Sequence, residues 1–171
     1  NFKPHIIFAS TATIYGSVRK YPVSEKKKVN PSSVYDNQKL TCENLLKDAS
    51  KEGILRSTIL RFSNIYGPGQ LHFSALIPDI MKSIILNKIF IPRGDGSDLR
   101  DYVYIDDIVD LYLLLSKNLY LNQNLRGEIF NAGVNKPIKV KEVIKKFYLS
   151  RNKNEEFKLI LKLMKSKKSK G

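Results

Sequence analysis

Pro31-Ser32-Ser33-Val34-Tyr35-Asp36-Asn37-Gln38-Lys39 is the stretch on which the reading of this chain turns. From Ser33 to Glu52 the residues are mostly helix formers, with apolar or small side chains at Val34, Leu40, Leu45, Leu46 and Ala49. The pattern predicts an amphipathic helix that opens at a Ser32/Ser33 cap and closes at Gly53. Positions i and i+4 of a helix lie one above the other, so Tyr35 and Lys39 share a face. A cation beside a phenol favours the phenolate, and a free Tyr titrates near ~10. The pair is therefore a candidate proton-transfer device. Glu43, four residues beyond Lys39, is within reach of its ammonium as a pairing partner. A Tyr and a Lys at this spacing also arise by chance on solvated helix faces, so the neighbours decide.

Upstream, His5-Ile6-Ile7-Phe8-Ala9 reads as a buried strand, and downstream Arg56-Ser57-Thr58-Ile59-Leu60-Arg61-Phe62 reads as a second. Strand, helix and strand in succession predict an α/β fold with a parallel sheet and a right-handed crossover. Both strand ends then lie on the edge where the Tyr35 helix begins, which is where ligands bind in open α/β sheets. Ser10 and Thr11 put hydroxyls on opposite faces at that edge; satisfying the local backbone is the alternative use for them. Ser17 to Pro31 is expected to be a solvated connection.

Further along, Ala75 to Leu86 is an apolar helix broken in its first turn by Pro78, and Phe90-Ile91-Pro92 is a short extended piece. The turn from Arg93 to Asp101 holds arginines that suit a phosphate or carboxylate, or else pair locally with its aspartates. Tyr102 to Ile105 is strand-like, Asp106 or Asp107 caps a helix through Leu115, Gly127 to Asn131 is a strand, and Val140 to Tyr148 is a final amphipathic helix.

With 171 residues and 42% hydrophobic content, the chain can bury one core of ordinary domain size. Cys42 is the single cysteine, which rules out an internal disulfide and fits a reducing, cytoplasmic setting. No apolar run reaches the length of a membrane span. The net charge of +14 comes mainly from dispersed lysines, densest from Lys158 to Lys170. No RNA-binding or zinc-type motif accompanies them, so a small anionic ligand is favoured over nucleic acid. His5 and His72 have no companions at metal-ligand spacing. The chain enters a strand almost at once and ends in a charged segment. A portion of a longer polypeptide is expected.

In order, Ala9-Ser10-Thr11-Ala12-Thr13-Ile14-Tyr15-Gly16, Tyr35-x-x-x-Lys39, Leu60-Arg61-Phe62-Ser63-Asn64-Ile65-Tyr66-Gly67-Pro68, and Gly94-Asp95-Gly96 leading to Arg100-Asp101-Tyr102-Val103-Tyr104-Ile105-x-Asp107 resemble the motifs of the extended short-chain dehydrogenase/reductase family, in its nucleotide-sugar epimerase/dehydratase branch. Gly127-Glu128-Ile129-Phe130-Asn131-Ala132-Gly133 is a weaker fifth match. The resemblance runs from about Ile6 to Tyr148. It implies the carboxyl-side part of a Rossmann-type, doubly wound parallel sheet over residues 1–66. A small α/β substrate-binding portion, interleaved with late Rossmann elements, would follow over 67–150, with a Lys-rich tail over 151–171. It implies NAD, or NADP, as cofactor, a nucleoside-diphosphate sugar as substrate, and a homodimer formed through the Tyr35 helix.

By the same resemblance Tyr35 is the acid/base, and Lys39 holds the nicotinamide ribose and lowers the Tyr pKa. Thr11 donates a hydrogen bond to the sugar hydroxyl or keto oxygen, and Ala9, Ser10, Phe62 and Ser63 lie near the cofactor. Asn64 and Arg100 hold the substrate diphosphate, and Ile91 and Arg93 flank the base. Dehydratases of this branch carry acids just after the Thr. Here Ala12 and Thr13 follow Thr11, which favours an epimerase over a dehydratase or reductase. The family's Gly-rich phosphate loop has no counterpart, because no Gly precedes Gly16, and Gln38 stands where the family has Ser. A non-catalytic sugar-nucleotide-binding chain is the reading from another class.

Overall fold

A computed structural model describes residues 3–18, 21–121 and 125–168. In chain order these form β1 (His5–Thr11), a 3-10 turn (Ala12–Tyr15), α1 (Val34–Lys51), β2 (Arg56–Phe62), β3 (Asn64–Tyr66), α2 (Leu76–Ile85), β4 (Leu99–Arg100), β5 (Tyr102–Tyr104), α3 (Ile105–Leu121), β6 (Glu128–Ala132), β7 (Ile138–Lys139), α4 (Val140–Leu149) and α5 (Asn154–Lys168). They divide into two compact units, Asn1–Ile65 with Tyr102–Asn135, and Tyr66–Asp101 with Lys136–Gly171.

The first unit is built on a three-stranded sheet in the order β1-β2-β6, with both pairings parallel. The α/β class and the crossover through α1 are as the sequence implies. The register aligns Thr11 with Phe62 and Phe62 with Ala132, so the carboxyl ends of the three strands form one row. β3 and β5 pair in a two-stranded ribbon. Leu60, Phe62, Val103, Ile108, Leu115 and Ala132 make the buried apolar cluster.

α1 begins where expected. Ser33 Oγ accepts from the Asp36 N–H at 3.0 Å and Asp36 Oδ2 accepts from the Ser33 N–H at 3.3 Å, a reciprocal capping box. It stops at Gly53, whose φ of +72° is costly for any residue with a Cβ, and the Ile54 N–H closes back on the Ala49 carbonyl at 2.9 Å. Its interior stripe differs from the expected one. Val34 and Leu45 face solvent, and the fully buried residues of the helix are Asp36 and Glu43, seven apart and so on one face.

The second unit pairs β4 with β7 antiparallel and packs α4 against both α2 and α5. Its core includes Ile80, Ile84, Phe90, Val143, Ile144 and Tyr148, and the Tyr148 hydroxyl accepts from the Phe90 N–H at 3.2 Å. Pro78 does not interrupt α2. It sits in the first turn, where its missing N–H has no intrahelical acceptor to lose. Asp106 and Asp107 lie within the first turn of α3, and that helix runs past Leu115 to Leu121. Residues 90–92 form no strand. The segment expected as a Lys-rich tail carries α5, which buries Phe157, Ile160 and Met164 at helical spacing. Among the described residues no helix is long and apolar enough to cross a membrane, and no group of three His, Cys, Asp or Glu could hold a metal ion.

Candidate active site

At the carboxyl end of β1, the Lys39 ammonium donates to the Ala9 carbonyl at 2.7 Å. It stands 4.9 Å from the centre of the Phe8 ring and 5.7 Å from that of Tyr35. Lys39 is thus drawn to the strand end and not to Glu43. Tyr35, at 55% exposure, presents its ring to solvent on the same helix face. Thr11 closes β1 and is 8% exposed; its Oγ1 accepts from the Thr13 N–H at 3.2 Å and lies 2.9 Å from the Thr13 hydroxyl. Thr13 in turn donates to Asp36 Oδ1, beside Tyr35 on α1.

Asp36 was not among the expected site residues. Burial alone would raise its carboxyl pKa, and hydrogen bonds from Thr13, Ser33 and the Ser32 segment more than offset that, leaving it below the usual carboxylate value. A lowered folded pKa stabilises the fold at pH above the unfolded value, near ~3.9, and that contribution is lost as pH falls through the folded value. The stability gap between the native chain and Asp36→Asn is therefore expected to be flat at neutral pH and to shrink below about pH 4. Urea midpoints across that range measure it, and a gap that widens on acidification contradicts the assignment.

Beneath these residues is a buried polar network that local spacing did not reveal. Glu43 and Arg61 are 1% and 4% exposed and form a two-point ion pair, Nη2 to Oε2 at 2.6 Å and Nε to Oε1 at 3.1 Å. The Ser10 hydroxyl donates to Glu43 Oε1, so this side chain turns inward. Arg61 Nη1 donates to the Tyr15 hydroxyl at 2.8 Å, and Tyr15 donates to Asn131 Oδ1 at 2.7 Å. Asn131 is held on its other side by the Val23 carbonyl at 2.7 Å and Glu25 Oε1 at 2.9 Å. The connection from Ser17 to Pro31 is thereby tied to the sheet and is more than a solvated loop. The clue in the sequence was a charged residue inside a fully buried strand, which calls for a buried counter-charge.

At the end of β2, Phe62 is buried and stacks on Tyr112 with ring centres 5.9 Å apart. Ser63 Oγ is buried with no hydrogen-bond partner among the described residues. Asn64 is exposed at the start of β3. The sheet thus brings Ala9, Ser10, Thr11, Tyr35, Lys39, Phe62 and Ser63 to one strand-end edge of the first unit. Ile91, Arg93 and Arg100 belong to the second unit and are exposed there. Arg100 lies 3.4 Å from Asp98, an exposed and screened pair that leaves the guanidinium available.

The profile of the NAD dependent epimerase/dehydratase family matches residues 1–133. The chain belongs to that family. Among curated members, the UDP-glucose 4-epimerase of Lactobacillus helveticus is 31% identical over 144 residues, which cover 75% of this chain and 43% of that protein. The solved UDP-glucose 4-epimerase of Thermotoga maritima with UDP-glucose superposes with a TM-score of 0.74 at 30% identity, covering 84% of this chain and 46% of that one. The dTDP-glucose 4,6-dehydratase of Bacillus anthracis in complex with NAD superposes at 0.77 with 26% identity, covering 86% and 44%. Like these epimerase/dehydratase family structures, the chain is of the Rossmann-type α/β class. It spans less than half the length of these relatives.

Proposed function

We propose that the protein carrying this chain epimerises a nucleoside-diphosphate sugar at C4 through a transient 4-keto sugar, with Tyr35 as the acid/base. One observation carries the reading: the Lys39 ammonium sits on the carbonyl of Ala9, two positions before Thr11 along β1, with the centre of the Tyr35 ring 5.7 Å from it. The residues present fit the nicotinamide end of NAD or NADP. Lys39 offers a cation for the ribose, the Ala9 backbone lies beside it, and the Ser63 hydroxyl next to Phe62 is buried with no hydrogen-bond partner among the described residues, which suits a polar ligand group there. The cofactor, when bound, supplies reversible oxidation at the sugar C4.

Tyr35 takes the proton of the C4 hydroxyl and later returns it. Thr11 hydrogen-bonds that oxygen. By the family resemblance Asn64 and Arg100 hold the diphosphate end, with Ile91 and Arg93 flanking the base, so binding energy remote from C4 positions the sugar. A second copy against α1 belongs to the same reading, because Val34 and Leu45 stand exposed on that helix. A cytoplasmic setting suits the exposed free thiol of Cys42.

Ala12 and Thr13 support epimerisation over dehydration, since neither can serve as the acid or base for loss of water. Full-length protein incubated with UDP-glucose and NAD is expected to give UDP-galactose, a product of unchanged mass. A product lighter by one water, seen by mass spectrometry, replaces this reading with a dehydratase.

A further inference from the structure

Helix α1 meets the sheet with a polar face. Of its residues only Asp36 and Glu43 are buried, and its apolar contribution is limited to the half-buried Leu40, Leu46 and Ala49. The inward stripe is Asp36, Lys39, Glu43 and Ser50, whose spacing puts them on one side of the helix. Each of the four is bonded to what lies beneath it. Asp36 accepts from Thr13, just past β1, and Lys39 donates to the Ala9 carbonyl within that strand. Glu43 accepts from Ser10 of β1 and takes the two-point bond from Arg61 of β2. The Ser50 hydroxyl lies 2.7 Å from that of Ser57 on β2. From first to last these contacts cover about 21 Å of helix.

A buried ion pair adds little net stability over an apolar pair of the same bulk, so stability does not account for Glu43 and Arg61. What differs is direction. Apolar contacts are non-directional and tolerate a helix that slides or rolls on its sheet, whereas hydrogen bonds weaken steeply outside a narrow range of distance and angle. Glu43 engages both strands at once, one turn beyond Lys39, which makes it the most constrained contact of the stripe. We infer that the Glu43–Arg61 pair is a positioning device: it fixes how far along β1 the helix sits, and so where Tyr35 and Lys39 stand at the strand end. The inference rests on the reading of Tyr35 as acid/base and goes beyond it by giving the two buried charges a share in turnover. Glu43 and Arg61 act through Lys39 and Tyr35 and are assigned no contact with sugar or cofactor. Placement carries weight here because an error of ~1 Å can cost about 10²-fold in rate.

The test uses full-length protein with NAD and UDP-glucose, assayed well below the Tm of the weakest variant. Glu43→Leu with Arg61→Met is expected to melt close to the parent yet keep kcat roughly tenfold or more below it, with the KM for UDP-glucose unchanged. Arg61→Lys keeps the charge and loses the fork, and it is expected to lower kcat in the same way at constant KM. If the double variant does not fold, Arg61→Lys decides alone. Ser50→Ala with Ser57→Ala removes the far contact of the stripe, about 16 Å along the helix from Lys39, and is expected to lower Tm and leave kcat alone. A kcat that returns with Tm in the double variant, or a parental kcat in Arg61→Lys, overturns the inference. So does an equal loss of kcat in the Ser50/Ser57 variant, since turnover then follows stability alone. In these cases the proposed function stands. Tyr35→Phe is run alongside, and if it turns over like the parent, the reading of Tyr35 fails and the inference falls with it.

Discussion

Replacing Tyr35 with Phe is expected to lower kcat by roughly 10²- to 10⁴-fold, the range ascribed to a positioned general acid/base. The substitution removes one oxygen and keeps the ring. More than half of that ring is exposed, and the Tyr35 hydroxyl takes no part in the buried network of Ser10, Glu43, Arg61 and Tyr15. Folding stability is therefore expected to stay within a few tenths of a kcal/mol of the parent, as for surface changes in general. The KM for the nucleotide sugar is also expected to hold, because the residues proposed to hold the diphosphate lie elsewhere. Steady-state kinetics alongside a melting curve separates chemistry from damage. Turnover that persists in a correctly folded variant removes Tyr35 from the mechanism.

The second large effect concerns the pair beneath the site. Glu43→Gln leaves the Arg61 guanidinium charged, 4% exposed and without its carboxylate. Removing one partner of a buried pair costs about 3–5 kcal/mol. For a chain of this size that is a loss on the order of 10 °C in Tm. Arg61→Met alone is expected to cost about as much, since it strands the Glu43 carboxylate. The double change Glu43→Leu with Arg61→Met replaces both charges by apolar groups of similar bulk and is expected to recover most of the loss. Its catalytic readout is independent: the pair links α1, which carries Tyr35 and Lys39, to β2, which leads into Ser63 and Asn64. If the double variant melts as low as the single ones, the electrostatic account fails and local packing takes its place.

β2 was legible to the residue, and α1 to within one residue at each end, because a Ser cap and a Gly stop are local chemistry. The convergence of Thr11, Tyr35 and Lys39 followed from topology alone. The partner of Glu43 did not follow, because the i+4 rule points to Lys39, while the actual partner lies 18 positions on, across the crossover. Asp36 reads as an ordinary first-turn acid until its second oxygen is seen to meet Thr13. α5 was missed for a different reason. Its lysines dominate the count, but Phe157, Ile160 and Met164 fall on one side of the helix, and lysine stems are well suited to cover the flanks of such a stripe.

The first unit is assembled from two separate lengths of chain, Asn1–Ile65 and Tyr102–Asn135. Leu60 and Phe62 of β2 are covered by Val103, Ile108, Leu115 and Ala132, all supplied by the later length. During synthesis β2 therefore emerges with one flank bare and keeps it so until some seventy further residues have followed, several seconds at ordinary translation speed. Through that interval Arg61 also lacks the tether from Asn131 that holds Tyr15 in place. The nascent strand–helix–strand therefore carries uncovered apolar surface until the later length arrives, and the β1-β2-β6 sheet is complete only with β6.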